Sequence, residues 1–179
     1  MPDQTPLENL RYPTGRFSYQ PGYGPEKRRE YLESIRSLPA KLRAGLDSLS
    51  EAQLDLPYRP GGWTARQVIH HIADSHMNAY IRFKLALTES RPTIKPYDEK
   101  AWAELPDTAN TPIQVSLALL EALHQRWVVL LEELDTAGLQ RSVFHPESQR
   151  EIKLEEFLAL YAWHGEHHLA HLALAGKKI

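Results

Sequence analysis

The chain has 179 residues, 42% of them hydrophobic and 25% charged, with a net charge of -2 and no cysteine. This is the make-up of one ordinary soluble domain, and it excludes disulfides, thiolate metal sites and a cysteine nucleophile. The near-neutral balance, without a basic run, argues against nucleic acid or an anionic membrane as partner.

No apolar run reaches the roughly 18 residues of a membrane span. The first ten residues lack a basic segment followed by an apolar one, so no secretion signal is expected. A reducing cytoplasm is the expected setting.

Residues 1–24 carry Pro13, Gly15, Pro21, Gly22 and Gly24 among Tyr12, Phe17, Tyr19 and Tyr23. Repeated helix breakers predict an extended N-terminal arm, and its aromatics predict that the arm packs on the body. Residues 25–179 then form the main domain. Pro25 suits a first helical position. Tyr31, Leu32, Ile35, Leu38, Leu42, Leu46 and Leu49 recur at helical spacing, with Pro39 expected to kink or split the helix. Ser50 and Gln53 form a capping-box pattern, and so do Thr64 and Gln67.

A long helix is expected from Thr64 to about Ser90, with Val68, His71, Ile72, Ser75, Ala79, Phe83 and Ala86 along its core side. His70 is turned about 100° away from His71. Residues 91–110 hold three prolines and Trp102. A connection this long is often functional, and it can carry the chain back to start a third helix parallel to the second. A lid or a dimer contact is the expected use.

Thr111, Pro112 and Gln114 predict a third capping box with proline at the first helical position. The third helix continues to about Asp135. Residues 139–152 read as irregular, and no strand-period run predicts a sheet. The fourth helix runs from about Lys153 to Ala175, closed by Gly176 with Lys177 and Lys178 favouring its end. Four amphipathic helices predict an all-α four-helix bundle.

Four of nine histidines fall on the fourth helix: His164, His167, His168 and His171. His164 and His168 are one turn apart, at the edge of and within the apolar arc set by Leu154, Phe157, Leu158, Tyr161, Leu169 and Leu172. His167 turns toward the polar side and His171 lies at the margin. Burying two neighbouring imidazoles costs free energy unless each finds a partner, which a metal ion supplies. His71, on the core stripe of the second helix, completes three ligands. His71, His164 and His168 are therefore the predicted metal ligands, with zinc as the default ion.

His167 and His171 are expected to be dispensable for metal retention. His70, His76, His124 and His145 are assigned structural or exposed roles, although His76 or His124 could line a pocket. Asp74 could orient an imidazole or simply be a solvated helix charge. Glu155 and Glu156 read as surface charges. Gly165 follows His164, and Glu166 is rotated about 200° from that histidine, so zincin-type chemistry with Glu166 as base is not expected.

A three-histidine site leaves a coordination position open. It could activate water for hydrolysis or bind the thiolate of a small-molecule cosubstrate for transfer. Arg66, Arg82 or Lys84 could provide a basic mouth for such a thiol. The alternative outside enzymes is a metal-stabilised interaction bundle, which a fourth protein ligand would favour.

Several stretches also resemble one family. The run Gly62 to Asn78, opening Gly-Trp-Thr and containing His70, His71 and Asp74, is similar to the YfiT-type branch of the DinB-like family. So are Arg82 to Glu89, Ile94 to Asp98, Ala101 to Leu105, Leu160 to His168, and Leu10 to Gly15. The resemblance runs through nearly the whole chain. It implies an up-down-down-up bundle, a site on His71, His164 and His168, and zinc or nickel as the metal. It also implies a cytoplasmic, homodimeric metal-dependent hydrolase acting on a small molecule. Relatives in the wider family transfer low-molecular-weight thiols such as bacillithiol and mycothiol. The resemblance supplies no general base, so no catalytic side chain is assigned.

Overall fold

The computed structural model describes residues 6–47 and 49–175. In chain order these form α1 (Pro6–Arg11), α2 (Pro25–Leu46), α3 (Glu51–Leu54), α4 (Ala65–Thr88), α5 (Glu99–Ala103) and α6 (Pro106–Asn110). Then come α7 (Ile113–Glu132), α8 (Thr136–Gln140), β1 (Ser142–His145), β2 (Arg150–Lys153) and α9 (Leu154–Ala175). No helix among the described residues is long and apolar enough to cross a membrane. Gly176, Lys177 and Lys178, the expected end of the fourth helix, lie outside the described residues.

Both early capping boxes form. Gln53 N–H donates to Ser50 Oγ at 3.4 Å, and Ser50 N–H donates to Gln53 Oε1 at 2.9 Å. The Thr64–Gln67 pair repeats this at 3.1 and 3.0 Å and starts α4 at Ala65. The third box does not form. Pro112 is itself the N-cap of α7, with no side-chain cap.

The four long helices make the bundle. Side chains of α4 meet α7 in the same chain direction: His70 with Ser116, His76 with His124, Phe83 with Trp127. Helix α9 runs against α4, pairing His76 with His164 and Phe83 with Phe157. Helix α2 runs against α7, joining Arg28 to the Leu131 carbonyl and Arg43 to Glu121. The order is therefore up-down-down-up, and the connection between α4 and α7 is the long crossover that a parallel pair requires.

Four further features differ from the sequence expectation. The arm is not extended throughout, because Pro6–Arg11 is a short helix. Pro39 sits inside an unbroken α2. Its ring cannot donate to the Ile35 carbonyl, and that carbonyl instead accepts from His124 Nδ1 at 2.7 Å. The partner from α7, with burial of Ile35, Leu38, Leu42 and Leu46, offsets the lost helical bond. Residues 142–153 form an antiparallel hairpin, with buried Val143 opposite buried Ile152. Four-residue strands are too short for periodicity to report.

Glu155 is buried rather than exposed. Tyr19 donates to its carboxylate, as do the Gly22 N–H at 3.3 Å and Gln140 Nε2 at 2.9 Å, while Tyr23 OH donates to its backbone carbonyl at 2.9 Å. The arm together with Gln140, not solvent, satisfies this side chain. Removing it by Glu155→Ala should lower unfolding free energy by about 1–3 kcal/mol, because the arm's donors lose a buried acceptor. Urea denaturation measures this loss, and limited proteolysis within residues 12–24 should accelerate.

Candidate metal centre

The core divides into two apolar clusters. One contains Ile35, Phe83, Trp127, Phe157 and Tyr161. The other contains Leu38, Leu42, Val68, Ile72, Leu117, Leu120 and Leu172. Between them lies a layer of histidines from α4, α7 and α9. His71, His76, His124, His168 and His171 are all buried, and His164 is partly so.

The structure brings His71, His164 and His168 together. One ring nitrogen from each lies within 4.8 Å of the others. The Nε2 atoms of His71 and His164 face one another at 3.3 Å. Two imidazoles bound tetrahedrally to one ion at about 2.0–2.1 Å have their nitrogens about 3.3 Å apart. The donor set thus fits a divalent ion in both type and spacing. Burial favours the neutral, ligating form. It pushes His71 down to about 4 and His164 and His168 well below the ordinary histidine range, with neighbouring imidazoles adding to the shift.

Local sequence explains the placement. The Thr64 cap sets the start of α4 and hence the angular position of His71 about two turns further in. Trp63, just before that cap, lays its ring 4.6 Å from the His71 ring. On α9, Gly165 lies between the two ligands in the chain. A Cβ there would sit 2.7 Å from Leu38 Cδ2, so its absence permits the close approach of α2 and α9.

The three rings border a cavity of about 660 Å³. Its walls come from the arm (Arg11, Tyr12), the segment before α4 (Tyr58, Arg59, Trp63) and α5 with the residue after it (Glu99, Lys100, Glu104). The 91–110 connection thus supplies one wall. Of the proposed basic mouth, Arg66 is instead paired with Asp55 and Glu51, Arg82 bonds Tyr161, and Lys84 lies over Tyr80. The basic residues at the mouth are Arg11, Arg59 and Lys100. Glu166 faces α2, bonded to Ser34 and Lys41. Asp74 makes no hydrogen bond to a ligand imidazole among the described residues. Burial raises its carboxyl to about 6.

The remaining histidines divide. His70 is structural, bonded to Ser116 Oγ at 2.7 Å and the Thr111 carbonyl at 3.2 Å. His145 lies in β1. His167 is buried, not on a polar face, because the arm and Trp163 cover it; its ring stacks on Trp163 at 4.5 Å. His76 bonds both His124 and His164, and His171 bonds His168. Sequence spacing missed these contacts because His76 and His124 meet only across helices. The i,i+3 spacing of His168 and His171 was the one available signal.

Burial also holds His124 at about 4 and His76 further down. Their folded pKa values lie below the unfolded value of 6.5. Between those limits the unfolded chain binds protons that the folded chain does not. Stability present above pH 6.5 is therefore lost as pH falls toward 4, at about 1.4 kcal/mol per pH unit for each such group. Urea midpoints of the metal-free protein at several pH values across this window should fall steadily.

A family model described as the DinB superfamily matches residues 34–172. A Bacillus cereus relative bearing the name "Putative metal-dependent hydrolase" is 51% identical over 173 residues, covering 97% of this chain and 99% of its own. A Bacillus mycoides relative of the same description is 52% identical over 166 residues, covering 93% and 95%. The solved structure of YfiT from Bacillus subtilis, described as a probable metal-dependent hydrolase with an unusual four-helix bundle topology, superposes with a TM-score of 0.90. It is 47% identical and the match covers 93% of this chain and 95% of that one. With matches of this extent over nearly its whole length, the chain belongs to the DinB superfamily.

Proposed function

We propose that the chain is a metal-dependent hydrolase in which His71, His164 and His168 hold one divalent ion, zinc by preference and nickel as the second choice. The observation that carries this reading is the convergence of three imidazoles, joined by no fourth ligand among the described residues, on a cavity large enough for a small molecule. Sites with three protein ligands keep a position for water or substrate, whereas structural zinc is closed by four. When bound, such an ion would lower the pKa of a coordinated water and polarise a carbonyl or phosphoryl oxygen of the substrate, making the attached carbon or phosphorus more electrophilic.

The chain's own residues do the rest. Trp63 packs against the His71 ring. Gln67 Nε2 donates to Glu104 Oε1 at 3.0 Å and to the Ala103 carbonyl at 3.1 Å, which ties the α5 wall to α4. Glu99, at the solvent-facing edge of the wall, is raised above its ordinary range by partial desolvation, with Arg82 opposing the shift. The mixed charges of the wall suit a small polar substrate.

One observation favours a second reading, transfer of a low-molecular-weight thiol. Arg59 borders the cavity, and its Nε is buried with no hydrogen-bond partner. A carboxylate of an incoming thiol would satisfy it. The two readings separate in one experiment. Zinc-loaded protein is incubated with esters, amides and alkylating electrophiles, with and without small thiols, and products are followed by mass. Hydrolysis products formed equally without thiol support the hydrolase; products that form only as thiol adducts overturn it.

A further inference from the structure

Two of the three proposed ligands are each the end of a run of hydrogen-bonded imidazoles. The first run starts at the Ile35 carbonyl, which Pro39 leaves without its helical donor. A carbonyl oxygen only accepts, so the 2.7 Å contact requires the proton of His124 to sit on Nδ1. The neutral ring then has a lone pair on Nε2. That nitrogen is 2.9 Å from His76 Nδ1, which must donate. His76 Nε2 is left as an acceptor, 3.1 Å from His164 Nδ1. His164 donates there, and its lone pair lies on Nε2, the atom facing His71.

The second run starts at the Arg11 carbonyl in the arm. His171 Nε2 donates to it at 3.2 Å. His171 Nδ1 therefore accepts from His168 Nδ1 at 3.3 Å, and the lone pair of His168 lies on Nε2. His171 is further held by stacking on Tyr58, with ring centroids 3.9 Å apart. Each run has one direction only, because each ends on an atom that cannot donate.

We infer that these two carbonyl-anchored imidazole runs fix the tautomers of His164 and His168, so that each offers its Nε2 lone pair to one metal ion. His76, His124 and His171 are then positioning residues, and the inference rests on the three-histidine metal reading. The closed ends also argue against a proton wire. A proton entering at His164 has no outlet beyond His124, whose Nδ1 is committed to a backbone carbonyl. The device orients ligands and raises their basicity, as carboxylates or carbonyls do beside metal-bound histidines elsewhere. Here other imidazoles stand between the ligand and the carbonyl.

Two measurements test this. In two-bond nitrogen–proton NMR spectra of histidine-labelled, metal-free wild type, His76, His124, His164 and His168 should carry the proton on Nδ1, and His171 on Nε2. A proton on His76 Nε2 or on His171 Nδ1 would overturn the assignment. This measurement needs no substitution and no metal.

The second measurement is zinc affinity by competition with a chelating dye. His76→Leu and His171→Phe, which keep apolar volume but remove the bonds, should weaken binding about 10–100-fold. His76→Gln can present an amide oxygen where Nε2 accepts from His164, and His171→Asn can present one where Nδ1 accepts from His168. Both should bind zinc close to wild type, and so should His167→Phe. Equal affinity for His76→Leu, His171→Phe and wild type would overturn the inference while leaving the metal site intact. Wild type that takes up no zinc would instead overturn the metal reading on which the runs' purpose depends.

Discussion

Replacing His71, His164 or His168 singly by alanine should reduce zinc from about one equivalent per chain to about a tenth or less after gel filtration. The loss is large because no other metal-ligating side chain belongs to the described cluster. A two-imidazole remnant would have to recruit water in place of the missing nitrogen. The variants should still fold. In metal-free protein His71→Ala loses one weak contact, while His164→Ala and His168→Ala each lose one imidazole hydrogen bond, to His76 and His171 respectively, at a cost of about 1–3 kcal/mol. Elemental analysis beside a circular-dichroism melt separates the outcomes. Retained helicity with lost zinc is expected. Full zinc content in all three variants would place the metal elsewhere.

Trp127→Ala should have the largest effect on stability, about 3–5 kcal/mol. Trp127 is fully buried. It meets Phe83, Tyr161, His76 and His124 edge-on, with ring centroids 5.5 to 5.7 Å apart. Alanine leaves a cavity beside the histidine layer, and the bundle can collapse into it only by shifting α7 against α4. For a chain of this size the melting temperature should fall by roughly 6–20 °C. Trp127→Phe should cost much less. The indole Nε1 is buried without a hydrogen-bond partner, so phenylalanine removes an unsatisfied donor along with part of the volume. A phenylalanine variant as unstable as the alanine variant would show that the indole itself, rather than the filled volume, sets the cost.

The long helices were legible because their apolar residues repeat at helical spacing and because Ser50–Gln53 and Thr64–Gln67 mark starts with matched donors and acceptors. The convergence of His71 with His164 and His168 was legible for a related reason. An i,i+4 pair on an apolar arc needs a partner, and the second helix offers one histidine on its core stripe. What remained hidden depends on contacts between distant segments. Glu155 reads as a surface charge until the arm's tyrosines reach it. Pro39 reads as a break until α7 supplies a donor for the Ile35 carbonyl. His76, His124 and His171 read as ordinary core or margin residues, since nothing within their own helices shows that each ends against another imidazole. The hairpin of β1 and β2 was lost because its strands are only four residues long.

The most direct test of the central claim is X-ray absorption at the metal edge of zinc-loaded protein, repeated on His71→Ala. Wild type should show one zinc with three imidazole nitrogens at about 2.0–2.1 Å and a remaining shell filled by solvent oxygen. The alanine variant should lose that signature. A wild-type spectrum with four protein ligands, or with a shell dominated by carboxylate oxygen, would contradict an open three-histidine centre.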